Sequence, residues 1–179
     1  AAGLVATTGL LDPADGRPRA GGGGGGGPAL IDLDVAGVES FDPDGDGSEH
    51  DEQLNHLVDG DPSTTWRTDT YNSPAFGGLK DGVGIRADLG AEREIEGVAL
   101  RTPTPGIEFE VRVADGPEGD LDQWRPVATV ERAGGRIAAR FDEPTRTRHL
   151  LIWLTGTLPA ASGGYRAEIS ELTVRGRPA

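Results

Sequence analysis

From Gly106 to Asp115 the chain alternates with a period of two, placing Ile107, Phe109, Val111 and Val113 on one side and Glu108, Glu110 and Arg112 on the other. A helix turns successive side chains by about 100°, so only a strand with one buried and one wet face uses this pattern. The same reading covers Gly82 to Gly90, where Val83, Ile85, Ala87 and Leu89 oppose Arg86 and Asp88. Further strands are expected at Val98 to Thr102, closed by Pro103 and Pro105, at Trp124 to Val130, and at Ile137 to Phe141 beyond the Ala133-Gly134-Gly135 turn. His149 to Leu154 is apolar on both faces, as a central strand is. Arg166 to Val174 changes phase between Ile169 and Leu172, which predicts a bulge. Ile31 to Phe41 supplies a first edge strand and Glu52 to Val58 a short helical turn, while no stretch of 10 to 12 residues carries a helical period. Short strands at short intervals make an all-β sandwich or barrel.

Residues 1–30 are rich in Ala, Gly, Pro and Thr and include seven consecutive glycines, Gly21 to Gly27. Polyglycine gains too little from packing to offset its chain entropy, so this stretch is expected to be a disordered, flexible linker and residues 31–179 the domain. The glycines follow coil and precede Pro28, unlike a phosphate-binding loop, which follows a strand and opens a helix. The net charge is −13, and Phe41 to Asp61 holds eight acidic residues with no Lys or Arg. That field repels nucleic acid and anionic lipid and attracts cations. The longest apolar run, Leu150 to Leu154, is far shorter than the roughly 20 residues of a membrane span, so direct membrane insertion by this segment is not expected. The chain has no cysteine and no methionine, and Lys80 is the only lysine among seventeen basic residues. It reads as a processed or excised piece of a longer protein with a GC-rich coding bias.

Two loops draw attention. Leu57 to Tyr71 contains Asp-Gly, Asp-Pro, Ser63 and Thr64, and reads as a long ordered loop anchored by Trp66. Asp59 and Thr64 could serve as hard oxygen ligands for Ca2+ or form Asx and Ser turns without metal. Asp42, Asp44 and Asp46, followed by Gly47 and by Glu52, begin like a calcium loop, but position twelve is Gln53 and no amphipathic helix precedes it. A second, non-EF metal loop and a solvated acidic loop both fit. Nothing points to an enzyme: His50, His56 and His149 have no metal-protease spacing, no Ser sits in a G-x-S-x-G elbow, and a cysteine nucleophile is excluded.

The acidic lead-in, LVDGDPSTTWRTD, GVGIRADLG, RHLLIWL and RAEISELTV occur in the order of the galactose-binding-like jelly roll shared by discoidin, coagulation factor five/eight type C modules and many carbohydrate-binding modules, and the resemblance covers residues 35 to 176. It implies a jelly-roll β-sandwich of about eight strands. FDPDGDGSEHDE, WRTDTYNSPAFGGLKDGVGI and GYRAEISELTV further resemble the extracytoplasmic C-terminal domain that follows a pseudokinase and a membrane span in actinobacterial envelope proteins, some fused to or acting beside the lipid II flippase. The resemblance implies a structural Ca2+ held by Asp59 and Thr64 side chains, by His56, Asp61 and Ala167 carbonyls, and by the Glu168 carboxylate. It implies a ligand site on end loops, for which Tyr71, Phe76 and Tyr165 are the exposed-looking aromatics and Arg67, Asn72, Lys80 and Arg166 the polar partners, with Trp124 and Trp153 in the core. The implied location is extracytoplasmic, as the ectodomain of a membrane-anchored bacterial protein. The implied role is non-catalytic recognition of a cell-envelope glycan or peptidoglycan precursor, or else docking onto a membrane protein of wall synthesis without sugar binding.

Overall fold

The computed structural model describes residues 29–178, so the expected linker, apart from its last two residues, lies outside the described residues. The strands are β1 (Ile31–Leu33), β2 (Gly37–Phe41), β3 (Trp66–Arg67), β4 (Val83–Ala114), β5 (Arg125–Thr155), β6 (Ala160–Ala161), β7 (Gly164–Tyr165), β8 (Glu168–Ile169) and β9 (Glu171–Gly176). Strands β4 and β5 are extended runs that fold back on themselves, and turns at Gly90, Gly106 and Gly135, all at positive φ, let them do so. The segments therefore form two antiparallel layers. In the front layer β2 pairs with 83–88, which pairs with 149–154; 149–155 pairs with 108–114, and 109–113 pairs with 125–130. In the back layer the order is β1, β9, 97–102 and 135–140. This is the expected jelly-roll-like sandwich, with alternating residues of both layers meeting in the middle.

The alternation read from sequence sets the main core. Val83, Ile85, Ile107, Phe109, Val111, Leu150, Ile152 and Leu154 from the front meet Val98, Leu100, Ile137, Leu172 and Val174 from the back, all buried. Segment 149–155 serves two cores, as its two apolar faces predicted: Leu151 and Trp153 turn outward and join Phe41, Ala114 and Trp124 in a second cluster on the outer face of the front layer. Phe41 meets Trp124 and Trp153 edge-on at 6.2 and 5.8 Å, a favoured aromatic geometry. The Trp124 indole N–H donates to the Glu118 carbonyl at 3.1 Å, folding segment 115–124 over that face.

Three details depart from the sequence reading. The first strand is two: β1 pairs with β9 in the back layer and β2 with β4 in the front. Phe41 consequently belongs to the outer cluster, apart from Val38, which packs on the main core. The short helical turn is a 3-10 helix, Asp51–Leu57, that buries Leu54 and Leu57. In place of the expected bulge the chain breaks at Ser170, so that β8 pairs with β3 and β9 with β4 and β1.

Within the back layer the neighbouring strand approaches so closely at Gly97 that a Cβ there would lie 2.5 Å from the Ala139 carbonyl oxygen, while one at Gly37 would meet nothing within 4 Å. Gly97→Ala is expected to cost about 1–3 kcal/mol through overpacking, and Gly37→Ala to stay within about 0.5 kcal/mol of the parent. Urea unfolding midpoints at unchanged slope check both.

Candidate functional site

At the end of the sandwich away from the edge where β1 meets β9, loops 42–50 and 69–82 are tied together by a buried ionic knot. Glu49 has no exposed surface. Its Oε1 accepts from the Tyr71 hydroxyl at 2.6 Å and from Lys80 Nζ at 2.9 Å, and its Oε2 accepts from the Asp69 amide at 2.6 Å. Its carbonyl accepts from the Trp66 indole at 2.6 Å and its amide donates to Ser40 Oγ at 3.1 Å. Lys80 also pairs with buried Asp42 at 2.9 Å and lies over the Tyr71 ring, 5.6 Å from its centroid. Burial alone would lower the Lys80 pKa, but the bonds to Asp42 and Glu49 outweigh it and hold the ammonium above its ordinary value. Burial, and next the bond to Glu49, push the Tyr71 phenol well above the usual range.

These facts revise the expected ligand face. Tyr71 and Phe76 are 7% and 1% exposed and pack edge-on at 5.5 Å, so neither offers a stacking surface. The left-handed run Phe76, Gly77, Gly78 turns the loop back and drives the Phe76 ring inward. Lys80 is committed to two carboxylates. Asn72 is exposed, while Arg67, Tyr165 and Arg166 are half-buried. Tyr165 exchanges backbone hydrogen bonds with Tyr71 at 2.9 Å, Arg166 pairs with Glu168 at 2.7 Å, and Arg67 faces Glu168 across β3 and β8.

The four carboxylates expected to form a second metal loop take separate partners. Asp42 turns inward to Lys80 and lies against Gly45, where no side chain would fit. Asp44 accepts from the Asp81 amide at 3.3 Å, Asp46 from the Ser48 amide at 3.1 Å, and Glu52 pairs with His50 at 3.1 Å. Burial and the single lysine decide the outcome: the loop is pinned by its own turns and by Lys80.

The anchor loop is a chain of Asx turns. Asp59 accepts from the Asp61 amide and the Thr64 hydroxyl, both at 2.8 Å, and Asp61 accepts from the Ser63 amide at 2.9 Å and hydroxyl at 2.7 Å. The Ser63 bonds lower the Asp61 pKa. The Asp61 carbonyl accepts from the Thr64 hydroxyl at 2.9 Å, His56 Nδ1 bonds the Thr65 carbonyl at 2.8 Å, and the Ala167 carbonyl accepts from the Thr68 amide at 3.1 Å. Glu168 spends its carboxylate on Arg166. The acidic group that faces this loop is Glu171: its carboxyl is pushed up by burial first and then by repulsion from Asp59 and Asp61, with Arg101 opposing. One of its oxygens is buried without a partner. The break at Ser170 holds the signal that finds it, because counting back from inward Leu172 and Val174 turns Glu171 outward beside Thr173 and Arg175. Among the described residues no three His, Cys, Asp or Glu side chains form a metal cluster, so a cation here would draw on hydroxyl and carbonyl oxygens as well.

Among the clefts apart from this loop, two border loops 42–50 and 69–82 or strand β2. One, at the loop end, measures about 500 Å³ and is lined by Asp44, Ala75, Leu79, Lys80 and Asp81; Leu79 is 77% exposed. The other, about 460 Å³, lies on the outer face of the front layer between β2 and segment 115–124. There the Arg86 guanidinium sits over the Phe41 ring and donates to Glu39 at 2.9 Å. Arg148 grips Asp88 with two bonds of 2.7 Å. That fork lowers the Asp88 pKa to about 2.

Lys80→Met is expected to cost about 3–5 kcal/mol, because it leaves the buried Asp42 and Glu49 charges uncompensated. Tyr71→Phe removes one donor to Glu49 and should cost about 1–3 kcal/mol. Chemical denaturation checks both, and a Lys80→Met loss below that of Tyr71→Phe would contradict the knot.

No family model matches the chain. Among solved structures it is similar to the family 32 CBM of AlyQ in complex with 4,5-unsaturated mannuronic acid, with TM-score 0.58 and 18% identity over 80% of this chain and 97% of that one. The family 32 CBM of Clostridium perfringens NanJ in complex with galactose gives TM-score 0.58 and 18% identity, covering 82% and 99%. Chitosan-binding module 1 of a chitosanase/glucanase from Paenibacillus sp. IK-5 gives TM-score 0.56 and 18% identity, covering 80% and 96%. This chain has the β-sandwich fold of those modules.

Proposed function

We propose that the chain is a non-catalytic carbohydrate-binding module that recognises a cell-envelope glycan, such as a peptidoglycan precursor, from an extracytoplasmic position. The observation that carries the reading is the overlay: it takes in nearly the whole of two modules whose structures hold a sugar. The loop end supplies a suitable surface. Exposed Leu79 offers an apolar seat for the C–H face of a sugar, and Asp44, Asp81 and Asn72 offer acceptors and donors for hydroxyls. The ionic knot beneath keeps this surface in shape before ligand arrives, which lowers the entropic cost of binding. Leu79→Ala with Asp44→Ala should weaken binding to peptidoglycan fragments at least about tenfold, measured by calorimetry, with the unfolding midpoint unchanged. Undiminished binding would remove the loop end from the site.

Calcium belongs to the same proposal. Asp59, Thr64 and Glu171 side chains and the Asp61 carbonyl would hold it, and the partnerless buried oxygen of Glu171 is the feature that fits. The ion would neutralise carboxylates that otherwise repel one another and clip the anchor loop to β9. At a hundredfold excess over Kd, calcium should add about 2.7 kcal/mol, roughly 5–10 °C in a domain of this size. Glu171→Gln should abolish most of that rise, and Glu168→Ala should not.

The pH dependence has a defined sign. Because the folded Glu171 pKa is raised, the folded state holds its proton longer than the unfolded chain. In chelator, its contribution to stability falls as pH rises from the ordinary glutamate value of 4.5 through the raised folded value, and stays low above it. Asp88 and Asp61, whose values are lowered, act oppositely and lose stability as pH falls. The difference between parent and Glu171→Gln in thermal scans at pH 4 to 8 isolates the first effect, and calcium should remove it.

A further inference from the structure

We infer that the cleft on the outer face of the front layer is a second ligand site, one that takes a neutral sugar residue through paired hydroxyls. It shares with the preceding section only the premise that the chain binds carbohydrate, and it uses none of the loop-end residues. Its volume of about 460 Å³ lies within the range of small-ligand sites, about 300–1,000 Å³. Its rigidity has a visible source: the floor is the second apolar cluster, with Trp124 fixed through its indole and segment 115–124 held by Arg112, whose guanidinium donates to the Trp124 carbonyl at 2.9 Å.

The lining chemistry selects the ligand class. Two guanidinium–carboxylate pairs flank the cleft, Arg86 with Glu39 and Arg148 with Asp88, so its formal charges cancel. An anion would meet Glu39 and Asp88 and gain little, and a cation would meet the two arginines. A hydroxyl both donates and accepts, so neighbouring hydroxyls of one ring can bridge a guanidinium and its carboxylate at once. His149 lines the same wall, and its ring nitrogens carry no hydrogen bond among the described residues, which leaves it to donate or accept. Pro117 adds an exposed apolar rim for the C–H face of the ring. Arg86 is steadied for this work by the Phe41 ring beneath it and by Glu39 beside it.

The test is a titration of the full, isotope-labelled chain with galactose, followed by amide and imidazole resonances, with glucuronate as the charged counterpart. Galactose is expected to shift Glu39, Arg86, Asp88 and His149 with a Kd on the order of 1 mM, and glucuronate to bind no more tightly. Glu39→Ala and His149→Ala, both at solvent-accessible positions, should each weaken the cleft titration about tenfold, while the Leu79→Ala, Asp44→Ala variant leaves it intact. Cleft resonances that stay still to about a hundredfold that concentration overturn the inference. If binding then survives at the loop end, the proposed function stands without it. Glutamate and histidine variants with unchanged affinity also overturn it, and markedly tighter glucuronate binding overturns the neutral-sugar assignment.

Discussion

The Glu49 carboxylate is the constraint to which the loop end answers. An ion with no exposed surface is tolerable only when both its oxygens are engaged, and here the engagements come from residues 20 to 31 positions away: the Asp69 amide, the Tyr71 hydroxyl and Lys80. The chain between them has little choice of path. The left-handed turn at Phe76 to Gly78 and the inward turn of Asp42 follow from bringing those donors to one point. Lys80 completes the set, and the only lysine in the sequence is thus a structural ion.

The strands were legible because one-sided burial writes itself into alternation. Segments 83–89 and 107–113 follow their pattern residue by residue, and the two apolar faces of Leu150 to Leu154 foretold a strand lying between two cores. The loops were less legible for a physical reason. Tyr71 and Phe76 stand among Asn, Ser, Pro and Gly, a composition that reads as solvated, yet the buried carboxylate pulls the loop over them. Long-range hydrogen bonds leave no periodic trace. Glu168 and Glu171 show a milder failure: the phase change between Ile169 and Leu172 was visible, and carrying it forward separates the residue paired with Arg166 from the one facing Asp59 and Asp61.

Acidic charge does different work at each place. In the knot it is buried and matched to a cation; on the front face it is spread into Arg pairs that cancel; at the anchor loop it accumulates beside Glu171. The third arrangement leaves acidic groups repelling one another beside the solvent, and it is the one that external cations would relieve. Stability and ionic conditions are therefore coupled at the anchor loop and largely uncoupled at the knot, where burial limits screening by salt.

Strand β1 lies against β9, with Ile31 opposite Gly176. A chain entering at one and leaving at the other does both along a single edge, on the far side of the body from loops 42–50 and 69–82. Anything joined at either strand would hold the module by its base and point its loops outward, so reach toward a distant surface would depend on the length of the tether and not on how the sandwich turns.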